Sequence, residues 1–391
     1  MLILFIASRI TCINMPYPNA VLKHDTIRHA YPINNCINFN HNALEDFQLL
    51  LHDAAFVHCT LLTAAVVEDF IHERPPAYAT RLHLTRTLAL LNERLATEEA
   101  QIDSTLHIII SLGTISDLLG ERAATNAHMT GLGQILQMRG GITFLRRNPK
   151  LHFKIGRLDL AWSLSTGDMP RLLPNPVCWD PLYKSPSCIA ASSYTNSDAS
   201  DDNDIQFQLF TTGFSHQRLA TVFNDLRQLT FLINKYTNKN IRLDGSQFLD
   251  ALCSIQTRLL YLKDTISDGS SNDNIAAECL RLGMLAYLST TFRAPGRKTQ
   301  PAYLTTQLRA ICQRIEPSML EIRDVLFWLL MVGTISVFDV HEPWLRNKLD
   351  GILERRLSWG EARGRLLSVM WIIAIHDDLG KEAYSELMRS T

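Results

Sequence analysis

His376-Asp377-Asp378 sets an imidazole beside two carboxylates, the groups with which some helical hydrolases hold a catalytic metal. Such a centre needs further His and Asp ligands converging from other helices, and no matching set accompanies the triplet. Polar residues at a helix end before Gly380 account for it without a metal. Asp201-Asp-Asn-Asp204 offers oxygen ligands for a cation but lacks the fixed spacing and turn glycine of a calcium loop. Solvated acid in a low-complexity tract is the simpler reading. The eight cysteines stand at 12, 36, 59, 178, 188, 253, 279 and 312, with none of the close pairs from which structural zinc sites draw their ligands. They read as small buried thiols, with Cys59, Cys253, Cys279 and Cys312 inside helical apolar patterns, and they imply a reducing compartment.

Other chemistry is thinner still. Arg146, Arg147, Lys150 and Lys154 form a small basic cluster that a solvated helix flank explains. No phosphate loop, dinucleotide fingerprint, nucleophile elbow or His-Glu-x-x-His occurs. His58 and His128 each stand alone beside an apolar helix face, where a hydrogen-bonded packing role is the stronger reading. No catalytic, cofactor-binding or metal-ligating residue is therefore expected, and the chain is read as no enzyme.

The elements that would position such groups are helical almost throughout. Apolar residues recur at the helical period near 78–97, 103–119, 123–139 and 151–165, and again near 215–236, 246–266, 273–291, 301–315, 319–340, 343–355, 359–377 and 380–388. Asn42 with Glu45, Ser318 with Glu321 and Ser358 with Glu361 have capping-box spacing. The first helices run from Asn42 with a break near Asp53 to about His72, where Pro75-Pro76 stops the pattern. Between 167 and 205 five prolines give way to a Ser-rich acidic tract that cannot bury enough apolar surface to offset its ordering entropy. The expected fold is all-α, a large multi-helix bundle-like array in two packed halves. An irregular N-terminal segment (1–40) leads to a first helical half (41–166), a disordered Pro-rich, then acidic and Ser-rich linker (167–205), and a second helical half (206–391).

Composition limits the function classes. With 46% hydrophobic and 20% charged residues the chain can bury a substantial core. Its net charge of −1, without a long basic run, gives no electrostatic footprint for nucleic acid. The apolar run Val325 to Phe338 falls short of the roughly 20 residues that cross a bilayer, and it reads as a buried helix with no membrane role. The apolar opening Met1 to Ser8 has no basic region before it, so a signal peptide is disfavoured against a misplaced start or truncated gene model.

The most structured signal is His128-Met-Thr-Gly-Leu-Gly-Gln-Ile-Leu-Gln-Met-Arg-Gly-Gly141. Met129, Leu132, Ile135 and Leu136 form one stripe, Arg139 suits the negative helix end, and Gly140 can close the helix in the left-handed conformation. Gly131 and Gly133 cost the helix roughly 1 kcal/mol each relative to Ala, which implies close helix approach or tolerance in a strongly packed element. Asp159 lies beside the following stripe of Leu151, Ile155, Leu158 and Trp162. It either pairs with Arg139 across the Gly140-Gly141 turn, or each group finds solvent or a backbone partner.

This block is followed by Asn148-Pro149, Asp159, Thr166-Gly167 and Pro170-Arg171, and preceded by Asp53-Ala-Ala-Phe-Val-His58, Leu90-Leu-Asn-Glu-Arg-Leu95 and Ile102-Asp-Ser-Thr-Leu106. Trp328-Leu-Leu-Met-Val-Gly333, Trp344, Ser358-Trp359-Gly-Glu361 and Trp371 come later in the same order. The series resembles the regulatory domain of fungal-specific transcription factors over about residues 40 to 380, with His128, Gly131, Arg139, Gly140, Gly141 and Asp159 as its structural motif. The resemblance implies an all-helical, non-catalytic region that normally lies downstream of a binuclear zinc cluster. It also implies a nuclear location (otherwise cytoplasmic), a protein partner or self-association, and a small-molecule effector. The cluster itself needs six cysteines in close pairs, which are absent here, so sequence-specific DNA binding by this chain is not expected. Two rival readings stay open: a helical metal-dependent hydrolase or terpenoid-type enzyme, and a truncated product with little independent function.

Overall fold

The structure, a computed structural model, describes residues 33–38, 50–147, 149–172, 177–183, 216–266, 272–291, 298, 300–315, 323–353 and 355–389. It is all-α apart from two two-residue strands. In chain order the elements are α1 (Ile33–Cys36), β1 (Ile37–Asn38), α2 (Ala54–Ile71), α3 (Tyr78–Leu95), α4 (Asp103–Leu118), α5 (Arg122–Met138), α6 (Ile142–Arg147) and α7 (Pro149–Thr166). They continue as α8 (Gln217–Asn238), β2 (Leu243–Asp244), α9 (Gly245–Tyr261), α10 (Lys263–Ile266), α11 (Asn272–Thr290), α12 (Ala302–Arg314), α13 (Arg323–Ser336), α14 (Pro343–Ile352), α15 (Trp359–Val369) and α16 (Ile373–Leu387).

Two hydrophobic cores form, and α7 lies between them. Leu151, Ile155, Leu158 and Trp162 recur every three or four residues and enter the smaller core with residues of α2 to α6. Leu160 and Leu164 project from the opposite face into the larger core, built mainly from α8, α9 and α11 to α16. The helix packs on α4 on one side and on α9 and α12 on the other. The Gln256 side-chain amide of α9 donates to the Gly156 carbonyl of α7 inside this contact. At the centre of the larger core, every residue of α13 from Val325 to Ser336 is buried, the short buried helix that its length requires.

Several sequence expectations change. Residues 33–38 are not irregular: Ile33, Cys36 and Ile37 are buried in the larger core, and β1 pairs in parallel with β2 through Ile37 and Leu243. Residues 33–38 thus pack with the second half of the chain. The expected helix 359–377 breaks at Met370, because Arg227 takes the Ser368 and Val369 carbonyls, Trp328 Nε1 the Met370 carbonyl and Asn234 the Trp371 carbonyl and the Ile373 amide. Backbone groups released by the break are satisfied from distant helices, which no local pattern reveals. Gly380 then falls inside α16 rather than ahead of a helix, where an added Cβ would stand 2.5 Å from the Trp371 ring. A separate α6 precedes α7.

The Ser358–Glu361 capping box is present in both directions. Asn42, Glu45, Ser318, Glu321, Cys12, Cys188 and Asp201 to Asp204 lie outside the described residues, as do the side chains of Arg146, Arg147 and Lys150. Cys36, Cys59, Cys253, Cys279 and Cys312 are buried and Cys178 is exposed. Among the described residues α2 alone is long and apolar enough to cross a bilayer. Here it packs between α3 and α4.

Candidate functional site

The quoted sequence pieces meet through carboxylates. Asp53 caps α2, accepting from the Phe56 amide at 2.8 Å, and grips Arg94 of α3 with both oxygens. Burial pushes its carboxyl up, but Arg94 and the Phe56 amide outweigh that and hold it below the usual range. Arg94 reaches on to Ser104 Oγ in α4 at 3.4 Å. One residue earlier, Asp103 accepts from Arg139 Nη1 at 2.5 Å. The pieces near 53, 94, 103 and 139 are therefore joined side chain to side chain.

Arg139 does not meet Asp159. It stands at the end of α5, where Gly140 and Gly141 both adopt left-handed angles (φ 92° and 59°) and their amides return to the Gln137 and Leu136 carbonyls. From there its guanidinium lies 3.7 Å over the Phe144 ring and pairs with Asp103. Asp159, fully buried on α7, accepts instead from the Arg171 amide (Oδ1, 2.8 Å) and the Leu172 amide (Oδ2, 2.8 Å). A carboxylate in that position satisfies two amides of non-helical chain that have no ladder partner. The Arg171 side chain then reaches Asn126 of α5 and lies 4.7 Å over the Trp162 ring. Leu172 covers Gly133, whose missing side chain leaves room for it, whereas no described residue approaches Gly131. His128 packs beside Gly113 of α4, burial lowers its imidazole below the usual range, and no hydrogen-bond partner appears for it among the described residues.

The strap that Asp159 holds runs on to a second buried acid. Gly167 turns left-handed against Tyr303, with its carbonyl taken by Lys263 of α10. At residues 177–183 Trp179 and Tyr183 pack against the larger core, and Arg218 of α8 lies 4.7 Å over the Trp179 ring. The Leu182 amide donates to Asp225 Oδ1 at 3.0 Å, and Asp225 Oδ2 faces Arg258 Nη1 at 2.8 Å with both side chains buried. The described parts of the Pro-rich stretch are thus pinned to both cores rather than free. Asp225, Arg258, Gln256 and Lys263 carried no sequence signal beyond their helical setting.

The fungal specific transcription factor domain profile matches residues 47–370. The chain belongs to this family. No characterised protein and no solved structure gave a match. The family match takes in Asp53, Arg94, Asp103, Arg139, Asp159, the strap, Asp225 and Arg258, so the whole network lies inside it. It ends at Met370, where the helix breaks, and leaves α1 and α16 outside; those two helices contact each other on the larger core.

In α16, His376 is buried, not displayed at a helix end. Its Nδ1 accepts the Ile372 amide at 3.0 Å, which places the ring proton on Nε2, 2.8 Å from Thr290 Oγ1. Tyr287 and Trp371 lie 4.9 and 4.8 Å from the ring. Burial drives the imidazole pKa down to about 3, so it is neutral at pH 7. Asp377 turns elsewhere, to Arg363 Nε at 2.8 Å and Trp371 Nε1 at 3.0 Å. Imidazole and carboxylate therefore share no ligand position. Among the described residues no group of three His, Cys, Asp or Glu side chains converges for a metal ion. His58 and His83 of α3 do meet, Nδ1 to Nδ1 at 3.0 Å, in the hydrogen-bonded packing role expected of His58.

Proposed function

We propose that the chain is the regulatory and interaction body of a fungal-type transcription factor, non-enzymatic, with sequence-specific DNA recognition supplied by a separate reader. The family match over residues 47–370 carries this reading. Two observations support it: Arg139 and Asp159 of the motif are engaged inside the fold, the first joining α5 to α4 and the second holding the strap to α7, and a net charge of −1 gives no cationic excess to neutralise phosphates. A protein partner or second copy, a small-molecule effector and a nuclear location belong to the same proposal.

Tethering the chain to a heterologous zinc-cluster reader and measuring reporter transcription tests the regulatory role. Reporter output should depend on the tethered chain and change when Asp159→Ala frees the strap. Output equal to that of the reader alone overturns the proposal. The isolated chain should bind random DNA pools weakly and without preference at physiological salt. Nanomolar, sequence-selective binding would show that it holds a reader of its own.

A further inference from the structure

A surface cleft of about 330 Å³ opens between α13, α15 and the segment joining α14 to α15, a size at the lower end for small-molecule sites. Asp324 and Arg365 line it, with Arg355 and Glu361 beside them. The latter two form a tight exposed pair, and Glu361 is also the capping-box acid of α15. Asp324 and Arg365 are different. They stand 3.5 Å apart, side chains 27% and 37% exposed, too far for a good charge-assisted hydrogen bond. Neither side chain makes a hydrogen bond to any other group among the described residues; the Arg365 carbonyl accepts from Ser368 Oγ. Burial outweighs Arg365 and leaves the Asp324 carboxyl above the usual carboxylate range.

Among the described residues the cleft therefore holds two cations and two anions, with one pair closed and one open. A bare anion gains Arg365 but meets Asp324 and Glu361; a bare cation meets the reverse. A molecule with a carboxylate and an ammonium group a few ångströms apart satisfies both members of the open pair at once. Leu357 supplies an apolar wall, and, its own stretch of helix aside, no described atom stands within 4 Å of where a Cβ on Gly364 of α15 would be.

We propose that this cleft binds a small zwitterion, with its carboxylate on Arg365 and its ammonium on Asp324. It gives the effector role proposed above a place and a ligand class, and it rests on that reading for its regulatory meaning only. Titration calorimetry on the purified full chain tests the binding, with L-leucine compared against its two half-ligands, 4-methylpentanoate and 3-methylbutylamine. L-leucine should bind about tenfold or more tighter than either half, and Asp324→Asn or Arg365→Gln should each weaken it about tenfold. No heat at about 10 mM L-leucine, equal affinity for a half-ligand, or folded variants that bind like the parent would overturn the proposal. The half-ligand comparison uses the unaltered chain, so it stands even if a variant misfolds. The reporter assay above reads the regulatory role without reference to this cleft, so the two can fail separately.

Discussion

Asp159 and Asp225 are buried to nearly the same depth, 0% and 2% exposed, and each holds one end of the strap that leaves α7. Asp159 gives both oxygens to main-chain amides a dozen residues on. Asp225 gives one oxygen to the strap and turns the other to Arg258, whose side chain is wholly buried. The first arrangement trades a charge for two amides that must be satisfied anyway; the second buries two charges that depend on each other. The strap's two ends should therefore respond differently to the loss of their acid.

The largest effect is expected where a charge is orphaned. Asp225→Ala leaves Arg258 buried and unpaired and should cost about 3–5 kcal/mol in urea unfolding, whereas Asp225→Leu with Arg258→Met should recover much of that loss. A loss below about 1 kcal/mol for the single variant would mean that water reaches Arg258, and the contrast between the two acids would fall. Asp159→Ala should cost about 2–3 kcal/mol, because two amides lose a charged acceptor. Its clearer signature is local: trypsin should cut after Arg171 faster than in the parent, since the strap loses its hold there while α7 stays packed. Unchanged cleavage would show that Trp162 and Asn126 fix Arg171 without the carboxylate.

The two acids also differ in how far the sequence announced them. The stripe of Leu151, Ile155, Leu158 and Trp162 predicts which face of α7 is buried, and Asp159 stands out beside it as an acid in need of a partner. Its partner was not legible, because the amides of Arg171 and Leu172 come from a Pro-rich stretch whose composition reads as linker. Asp225 and Arg258 lie on separate helices, where each passes for a surface residue until the tertiary contact exists. The same limit explains the break at Met370, since Arg227, Asn234 and Trp328 cap it from far along the chain. Local capping is legible at Ser358, where both partners lie within one turn. The double-glycine end of α5 was legible for the same reason.

His376 lies beyond both acids and tests whether burial of a neutral ring makes stability pH-dependent. The unfolded imidazole binds a proton near pH 6.5 and the folded one only near 3, so the unfolded state carries the extra proton between those values. Stability present at pH 7 should thus fall as pH drops through this window, by up to about 1.4 kcal/mol per unit from this group. His83, His128 and His152, all lowered by burial, act in the same direction. His376→Gln should flatten the acid side of the stability profile; a slope identical to the parent's would mean that the ring protonates in place.

The smallest effect is expected at Arg139, the residue that sequence spacing could have matched with Asp159. The guanidinium is one-fifth exposed and the Asp103 carboxylate about half exposed, so solvent screens their attraction despite the 2.5 Å separation. Asp103 also sits in the first turn of α4, where a carboxylate is favoured by the helix end with or without Arg139. Arg139→Ala should therefore cost less than about 1 kcal/mol through the ion pair, with the lost stacking on Phe144 adding a comparable amount. A double-mutant cycle separates the possibilities. Arg139→Ala and Asp159→Ala should be additive, since their partners are different groups, while Arg139→Ala and Asp103→Ala should couple by a few tenths of a kcal/mol. Coupling above about 1 kcal/mol between Arg139 and Asp159 would place a direct pair across the Gly140-Gly141 turn and would make Asp159, like Asp225, an acid held by a cation.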